Sequence, residues 1–353
     1  MSIVFAILLF SFLIFIHELG HFIAAKRSGV QVNEFALFMG PAIFKKQVGQ
    51  TLYSIRCIPI GGYCAMEGED QDTENPGSFQ KAAWWKRLII LIAGSAMNFL
   101  AGLLLLAIVF LPQQQFFAPV IDSVEEGCTV VREDGLHVGD RFLEVNGEKV
   151  YVQSDFSMLL ALRGGEVHDL VVERNGQRLT FDDYLMETHE FTDTEGNKVQ
   201  RYGFSFKIQE ATFGDRLGLV WNNAVNIMRT VRLSLKMLFT GQAGLQDMSG
   251  PVGIVQVMSE TAAASESTLA ALMNMLYFGG FIAINLAMMN LLPIPALDGG
   301  RAVCLLLVTA VEKVIGKKVD PKYEAWIHGV GMVLLLILMA VLLFKDIFVI
   351  FKG

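Results

Sequence analysis

Residues 3–25 read IVFAILLFSFLIFIHELGHFIAA, and the pattern His17-Glu18-Leu19-Gly20-His21 stands near the end of this otherwise apolar run. About 20 apolar residues suffice for a helix to cross a bilayer, so the stretch predicts a transmembrane helix. Ionisable side chains at that depth cost roughly 2.5–3.5 kcal/mol each on insertion scales and are rarely idle. Two histidines four residues apart lie on one helical face, about one turn apart. They can share one metal ion there, and the glutamate between them can reach a water on that metal. The bland alternative is a polar cluster at a helix end, paired to other helices. The membrane setting favours the metal, because His17, Glu18 and His21 would otherwise each need a separate partner in a dry environment. The chemistry implied is hydrolysis of peptide bonds inside a membrane or at its edge.

The whole 353-residue chain has the same character: 53% of its residues are hydrophobic and only 18% charged. Soluble proteins are nearer 25% charged, so this composition predicts an integral membrane protein with room for one soluble domain. A net charge of −7 leaves no basic footprint, and nucleic acid is not an expected partner. Cys57, Cys64, Cys128 and Cys304 are scattered without a C-x-x-C pair and read as ordinary reduced thiols. The N-terminal run lacks a basic leader and ends in the motif and Lys26-Arg27, so it is expected to be a retained helix rather than a cleaved signal peptide.

Three more apolar runs are long enough to span, at residues 88–111, 271–292 and 329–344. The last can extend toward Phe351 if Lys345 and Asp346 snorkel or sit at the surface. The segment after the first span carries Lys26, Arg27, Lys45, Lys46, Arg56, Lys81, Lys86 and Arg87. The loop before the fourth span carries Arg301, Lys313, Lys317, Lys318 and Lys322. Positive charge marks the cytoplasmic side, so both termini and the central segment are expected outside. Trp84, Trp85 and Trp326 fit interfacial anchors, and His328 beside Trp326 reads as interfacial too. The expected organisation is residues 1–111 with the first two spans, 112–209 as a soluble domain, 210–270 as an amphipathic connection, and 271–353 with the last two spans. Within the connection, Asn222, Asn226, Arg229, Leu233 and Lys236 share a narrow arc of a helical wheel, as suits a helix lying on a membrane surface.

The central segment alternates apolar and polar residues, and its Asn146-Gly147 and Asn175-Gly176 pairs predict tight hairpins. Near the end of the third span stands Asn290-Leu-Leu-Pro293-Ile-Pro295-Ala-Leu-Asp298-Gly299-Gly300. Its prolines disrupt regular helix, and such backbone survives at membrane depth only where it lines a cavity or is buried in protein. Asp298 alone would read as a turn residue. Placed on the same side of the membrane as His21, it can complete a His-His-Asp set with a fourth position open.

On these residues the chain resembles the site-2 protease family of intramembrane zinc metalloproteases, in its PDZ-bearing bacterial branch. His17-Glu18-x-x-His21 resembles the first motif and Asn290-x-x-Pro293-x-x-x-x-Asp298-Gly299 the second. Gly94-x-x-x-Asn98 resembles the polar spot of the second span, with Ser95 where many members have proline. Pro59-Ile-Gly61-Gly62-Tyr63 and Ser249-Gly250-Pro251-Val252-Gly253 resemble further segments of this branch. Residues 135–147 resemble the PDZ pattern, although Cys128-Thr129-Val130 replaces the usual Ser-Pro-Ala turn, and the insert has room for one such domain rather than two.

The resemblance implies a polytopic α-helical membrane protein of about four spans, with a re-entrant β-hairpin and one extracytoplasmic PDZ-like domain. It implies that His17, His21 and Asp298 hold Zn²⁺, that Glu18 is general base and then acid, and that Asn290 stabilises the scissile carbonyl. Gly61, Gly62 and Tyr63 would hold the substrate as an extended strand, and Asn98 is a further candidate for substrate contact, or else an interhelical hydrogen bond. Expected partners are the lipid bilayer and single-span membrane proteins such as anti-sigma factors and signal-peptide remnants, trimmed beforehand by another protease. A non-catalytic scaffold built on the PDZ-like domain and a metal transporter are the competing readings.

Overall fold

The computed structural model describes residues 2–69, 73–192, 198–244, 250–265, 267–317 and 319–352; Ser249 and Lys318 lie outside the described residues. In chain order, α1 (Ser2–Ser28) is followed by β1 (Val32–Val48), β2 (Thr51–Met66) and α2 (Trp84–Phe110). Next come β3 (Gln115–Val124), β4 (Arg141–Val145), β5 (Glu148–Lys149) and α3 (Gln153–Arg163). Then follow β6 (Val167–Arg174), β7 (Gln177–Leu185), β8 (His189–Thr192), β9 (Lys198–Arg201) and β10 (Phe204–Glu210). The remaining elements are helices: α4 (Phe213–Phe239), α5 (Pro251–Ala263), α6 (Thr268–Asn290), α7 (Asp298–Ile315) and α8 (Pro321–Lys352). The chain divides into two compact units, Met1–Leu106 with Ile227–Gly353, and Ala107–Asn226.

Among the described residues, four helices are long and apolar enough to cross a membrane: Val4–Ser28, Trp84–Phe110, Thr268–Asn290 and Lys322–Asp346. The protein is a polytopic membrane protein, and hydropathy alone locates all four. Small residues set how closely these helices approach, as expected where lipid provides no drive for side chains to leave it. A β-carbon on Gly20 of α1 would stand 2.4 Å from the Ala93 carbonyl oxygen of α2. Gly102 of α2 and Gly280 of α6 each face the other's carbonyl oxygen, at 3.1 and 3.3 Å from where their β-carbons would be.

Two regions between the spans depart from the expected loops. Arg301 and Lys313 belong to α7, and α5 begins at Pro251, where a missing N–H costs a helix nothing. Asp346 neither snorkels nor sits at the surface. It is buried in α8 and accepts hydrogen bonds from the backbone N–H groups of Gly250 (3.2 Å) and Gly253 (2.9 Å), so a carboxylate caps the positive end of α5. Along the polar arc of α4 the surroundings change: Asn226 and Arg229 are buried while Lys236 is exposed.

β1 and β2 form one antiparallel hairpin that folds back on itself. Residues 34–37 pair both with 62–65 and with 52–55, and 44–48 pair with 51–55. The bends fall where the backbone turns left-handed, at Phe38 (φ 72°), Gly40 (φ 83°) and Gly61 (φ 74°). The result is a curled sheet of four short rungs in the order 62–66, 32–37, 51–56, 42–48. Glu34 ties the rungs together, accepting from Ser54 Oγ (2.6 Å) and from the Arg56 guanidinium (2.7 Å). The near end packs into a core with Phe35, Cys64, Met66, Phe79, Ile90 and Leu305.

The second unit contains the sheet β10-β3-β4-β6-β7, with β5 paired to β4. Both Asn-Gly pairs sit in two-residue turns: Val145 pairs with Glu148 and Arg174 with Gln177. Positive φ at Asn146 (53°), Gly147 (77°), Asn175 (52°) and Gly176 (77°) marks the turn type whose twist matches that of the strands. Phe142 and Phe156 are fully buried with ring centroids 4.4 Å apart. Asp140, also fully buried, is held by a bidentate pair with Arg174 (2.7 and 2.6 Å) and by the His137 N–H (2.8 Å).

Candidate active site

Helical spacing puts His17 and His21 on one face of α1, with imidazole Nε2 atoms 3.1 Å apart. The backbone break after α6 delivers Asp298, the first residue of α7, to the same point. Its Oδ2 lies 3.2 Å from His17 Nε2 and 3.3 Å from His21 Nε2. His21 Nδ1 donates to the Ile90 carbonyl oxygen at 2.8 Å, so that in the neutral ring Nε2 presents its lone pair to the site. Asp298 Oδ2 is buried without a hydrogen-bond partner. Three acceptor atoms converging in a half-buried site call for a cation. Ligand atoms about 2.0–2.1 Å from a tetrahedral zinc stand about 3.3 Å from one another, and this donor set fits that ion.

α2 closes the site from behind. A β-carbon on Gly94 would stand 2.3 Å from His21 Nε2 and 2.7 Å from His17 Cε1, so only glycine lets the helix lie against the two rings. One turn on, buried Asn98 brings its amide to 3.4 Å from His17 Nδ1. With its oxygen toward the ring, that amide accepts the Nδ1 proton, and His17 Nε2 then presents its lone pair as His21 does. Asn98 faces the back of His17 and does not border the cavity.

In front of these groups is a cavity of about 950 Å³, lined among others by His17, Glu18, His21, Tyr63, Cys64 and Asp298. Glu18 is half-buried on its wall. Residues 63–66 of the outermost rung of the hairpin form another wall, and Gly62 beside them comes so close to α1 that a β-carbon there would lie 3.3 Å from Glu18 Cγ. The Tyr63 ring rests under the Arg56 guanidinium, 5.2 Å from its centroid. Farther along, Arg301 bonds Glu69, and both border the cavity. Gly61 forms the bend that starts the rung. Asn290 ends α6 half-buried and is not among the residues that line the cavity.

His328, expected only as an interfacial residue, belongs to the cavity. It is buried, lines the cavity, and its Nδ1 accepts the Ala296 N–H at 3.0 Å. Its sequence neighbours are membrane-boundary residues and give no hint of this. The one available signal was a histidine three residues before Gly331, at the start of the apolar stretch of α8.

The fold and this donor set define a membrane-embedded metallopeptidase, and the family comparison agrees: the sequence model of peptidase family M50 matches residues 5–338, and the chain belongs to that family. It is a zinc metalloprotease acting within membranes. It is 34% identical over 349 residues to a provisionally named zinc metalloprotease of Clostridium perfringens, covering 98% of each chain. It is 29% identical to the zinc metalloprotease RasP of Geobacillus kaustophilus and 26% identical to the regulator of sigma-W protease RasP of Bacillus subtilis. These alignments cover 98% and 97% of this chain, and 97% of each relative.

Proposed function

We propose that the protein cuts single-span membrane proteins within or beside their transmembrane helices, using His17, His21 and Asp298 to hold zinc and Glu18 to move the proton. The convergence of the three donor atoms on a cavity that Glu18 also lines carries this reading. Zinc, when bound, supplies Lewis-acid polarisation of water and of the scissile carbonyl. Glu18 takes the proton of the attacking water at its carboxylate and returns it to the leaving amine nitrogen, a role typically amounting to 10²–10⁴-fold in rate. Asn290 is placed in the role of carbonyl donor by its motif alone. Asn98 is better supported as the partner that orients His17 than as a substrate contact.

A transmembrane helix hides its peptide bonds in its own hydrogen bonds and must be unwound before it is cut. The rung 62–66 supports a role as template: it is paired on one side by residues 32–37 and borders the cavity. Exposed Ile43, Phe44, Ile55 and Ile58 on the hairpin suit insertion into lipid, as a re-entrant element requires. Gly61→Pro cannot keep a φ of 74°. It is expected to retain zinc and lose cleavage, and full cleavage would remove the hairpin from this role.

The second unit is read as a PDZ-like domain outside the cytoplasm that admits only substrates already trimmed by another protease, anti-sigma factors and signal-peptide remnants being the substrate classes expected. Its small size, hairpin turns and six-stranded antiparallel sheet support this. The positive residues between the first two spans and in α7 support a zinc site near the cytoplasmic side, with both termini outside. Deleting residues 116–208 is expected to expose full-length substrates to cleavage.

The test is cleavage of a pre-trimmed single-span reporter by wild type and Glu18→Gln, with bound zinc measured in both. Zinc retained with cleavage lost is the expected result. Equal cleavage by the two would overturn the role of Glu18.

A further inference from the structure

The segment Leu291–Leu297, which carries Asp298 to the site, accounts for its backbone donors almost entirely by itself. The N–H groups of Leu291, Leu292, Ile294 and Leu297 donate to the carbonyls of Met288, Met289, Leu292 and Ile294. Pro293 and Pro295 have none. The remaining N–H is that of Ala296, and it donates to His328 Nδ1 at 3.0 Å. Ala296 is also the strained residue of the segment, with φ at 77°, a region costly for any side chain with a β-carbon. Gly331, one turn beyond His328 on the same face of α8, presses on the neighbouring residue: a β-carbon there would lie 2.4 Å from Pro295 Cβ and 2.7 Å from its carbonyl. On the other side, Gly299 and Gly300 admit the Leu291 and Ile294 carbonyl oxygens, each 2.2 Å from where a β-carbon would be. The segment is thus gripped between the start of α7 and residues 328–331 of α8.

We infer that His328 is a positioning residue for the metal site: by accepting the Ala296 N–H it holds the left-handed turn that aims Asp298 at His17 and His21. This rests on the reading of Asp298 as a metal ligand. The imidazole is neutral here, with its proton on Nε2, because Nδ1 must present a lone pair to the amide. Remove that acceptor, and the amide of a strained residue loses its partner two residues before Asp298. The segment then relaxes, and the carboxylate loses its aim while the two histidines keep theirs.

The experiment uses the full-length protein in nanodiscs, with zinc affinity by competition against a chelating dye and the visible absorption bands of the cobalt-substituted form. His328→Leu is expected to weaken metal binding about 10–100-fold, as losses of outer partners do, and to alter the cobalt bands. His328→Asn places an amide oxygen where Nδ1 was and is expected to restore both. His328→Gln, which reaches instead to the place of Nε2, is expected to fail. If His328→Leu does not accumulate, the contrast between Asn and Gln decides. In an Ala296→Gly background, where the turn is adopted without strain, the loss from His328→Leu should shrink about fivefold or more. Asp298→Asn separates the two levels of the argument. Unchanged metal binding in that variant overturns the reading of Asp298 as a ligand. Loss of metal there, with wild-type affinity and cobalt bands in His328→Leu or equal behaviour of Asn and Gln, overturns the role of His328.

Discussion

Gly94 leaves His21 no room for a methyl group: a β-carbon on α2 at that position would stand 2.3 Å from Nε2, the atom aimed at the candidate metal. Gly94→Ala therefore sets two effects against each other. It should favour α2 by about 1 kcal/mol through helix propensity. It should also push the helix off the two imidazoles. We expect the second to win, with bound zinc falling at least tenfold while the protein still folds. Wild-type zinc content in the purified variant would show that the two helices separate without cost.

Asn98 stands behind His17 as the Ile90 carbonyl stands behind His21. Asn98→Ala should weaken zinc binding about 10–100-fold. Asn98→Asp, which keeps an oxygen for the Nδ1 proton, should come close to wild type. A variant series that changes KM for a peptide reporter but leaves zinc affinity alone would instead make Asn98 a substrate contact.

Asp346 joins α8 to the first turn of α5 through two backbone N–H groups. Asp346→Ala leaves those buried donors unpaired, at a cost of about 1–3 kcal/mol. The expected outcome is a lower unfolding midpoint in detergent, with Asp346→Asn intermediate because one acceptor oxygen remains. No change in midpoint would mean that water replaces the carboxylate.

In the second unit, burial holds His168 below the usual histidine range, the neighbouring Arg163 adds to this, and the bond to the Gly165 carbonyl and nearby Asp169 oppose it. Its Nδ1 faces the Asn146 amide at 3.1 Å and its Nε2 the Gly165 oxygen at 3.2 Å, which fits the neutral ring. Below about pH 6.5, the ordinary value, the unfolded chain binds a proton that the folded unit does not. Stability from this group is thus complete above that pH and declines as pH falls through it. Unfolding midpoints between pH 7.5 and 5.5 should drop less in His168→Asn than in wild type. Parallel curves would rule out His168 as the source.

Some of this architecture was legible without coordinates because it is local. A run of apolar residues predicts a span wherever it lies, and Asn146-Gly147 and Asn175-Gly176 predict their turns from the backbone freedom of those residue types alone. The hairpin was half legible: residues 51–66 alternate loosely, but β1 carries Pro41 and two lysines and does not read as a strand, because its pairing partners decide it. α5 and α7 went unread as helices, since neither is long or apolar enough to announce itself beside the spans.

At the site, helical spacing alone puts His17 and His21 on one face, and prolines break the chain before Asp298 whatever the fold. Both follow from covalent geometry over a few residues. Helix packing is what brings Asp298 Oδ2 within 3.3 Å of both rings, sets Gly94 against them, and gives the Ala296 amide to a histidine 30 residues beyond Asp298. Such contacts join residues far apart in the chain. No local periodicity encodes them, and they exist only once the helices are packed against one another.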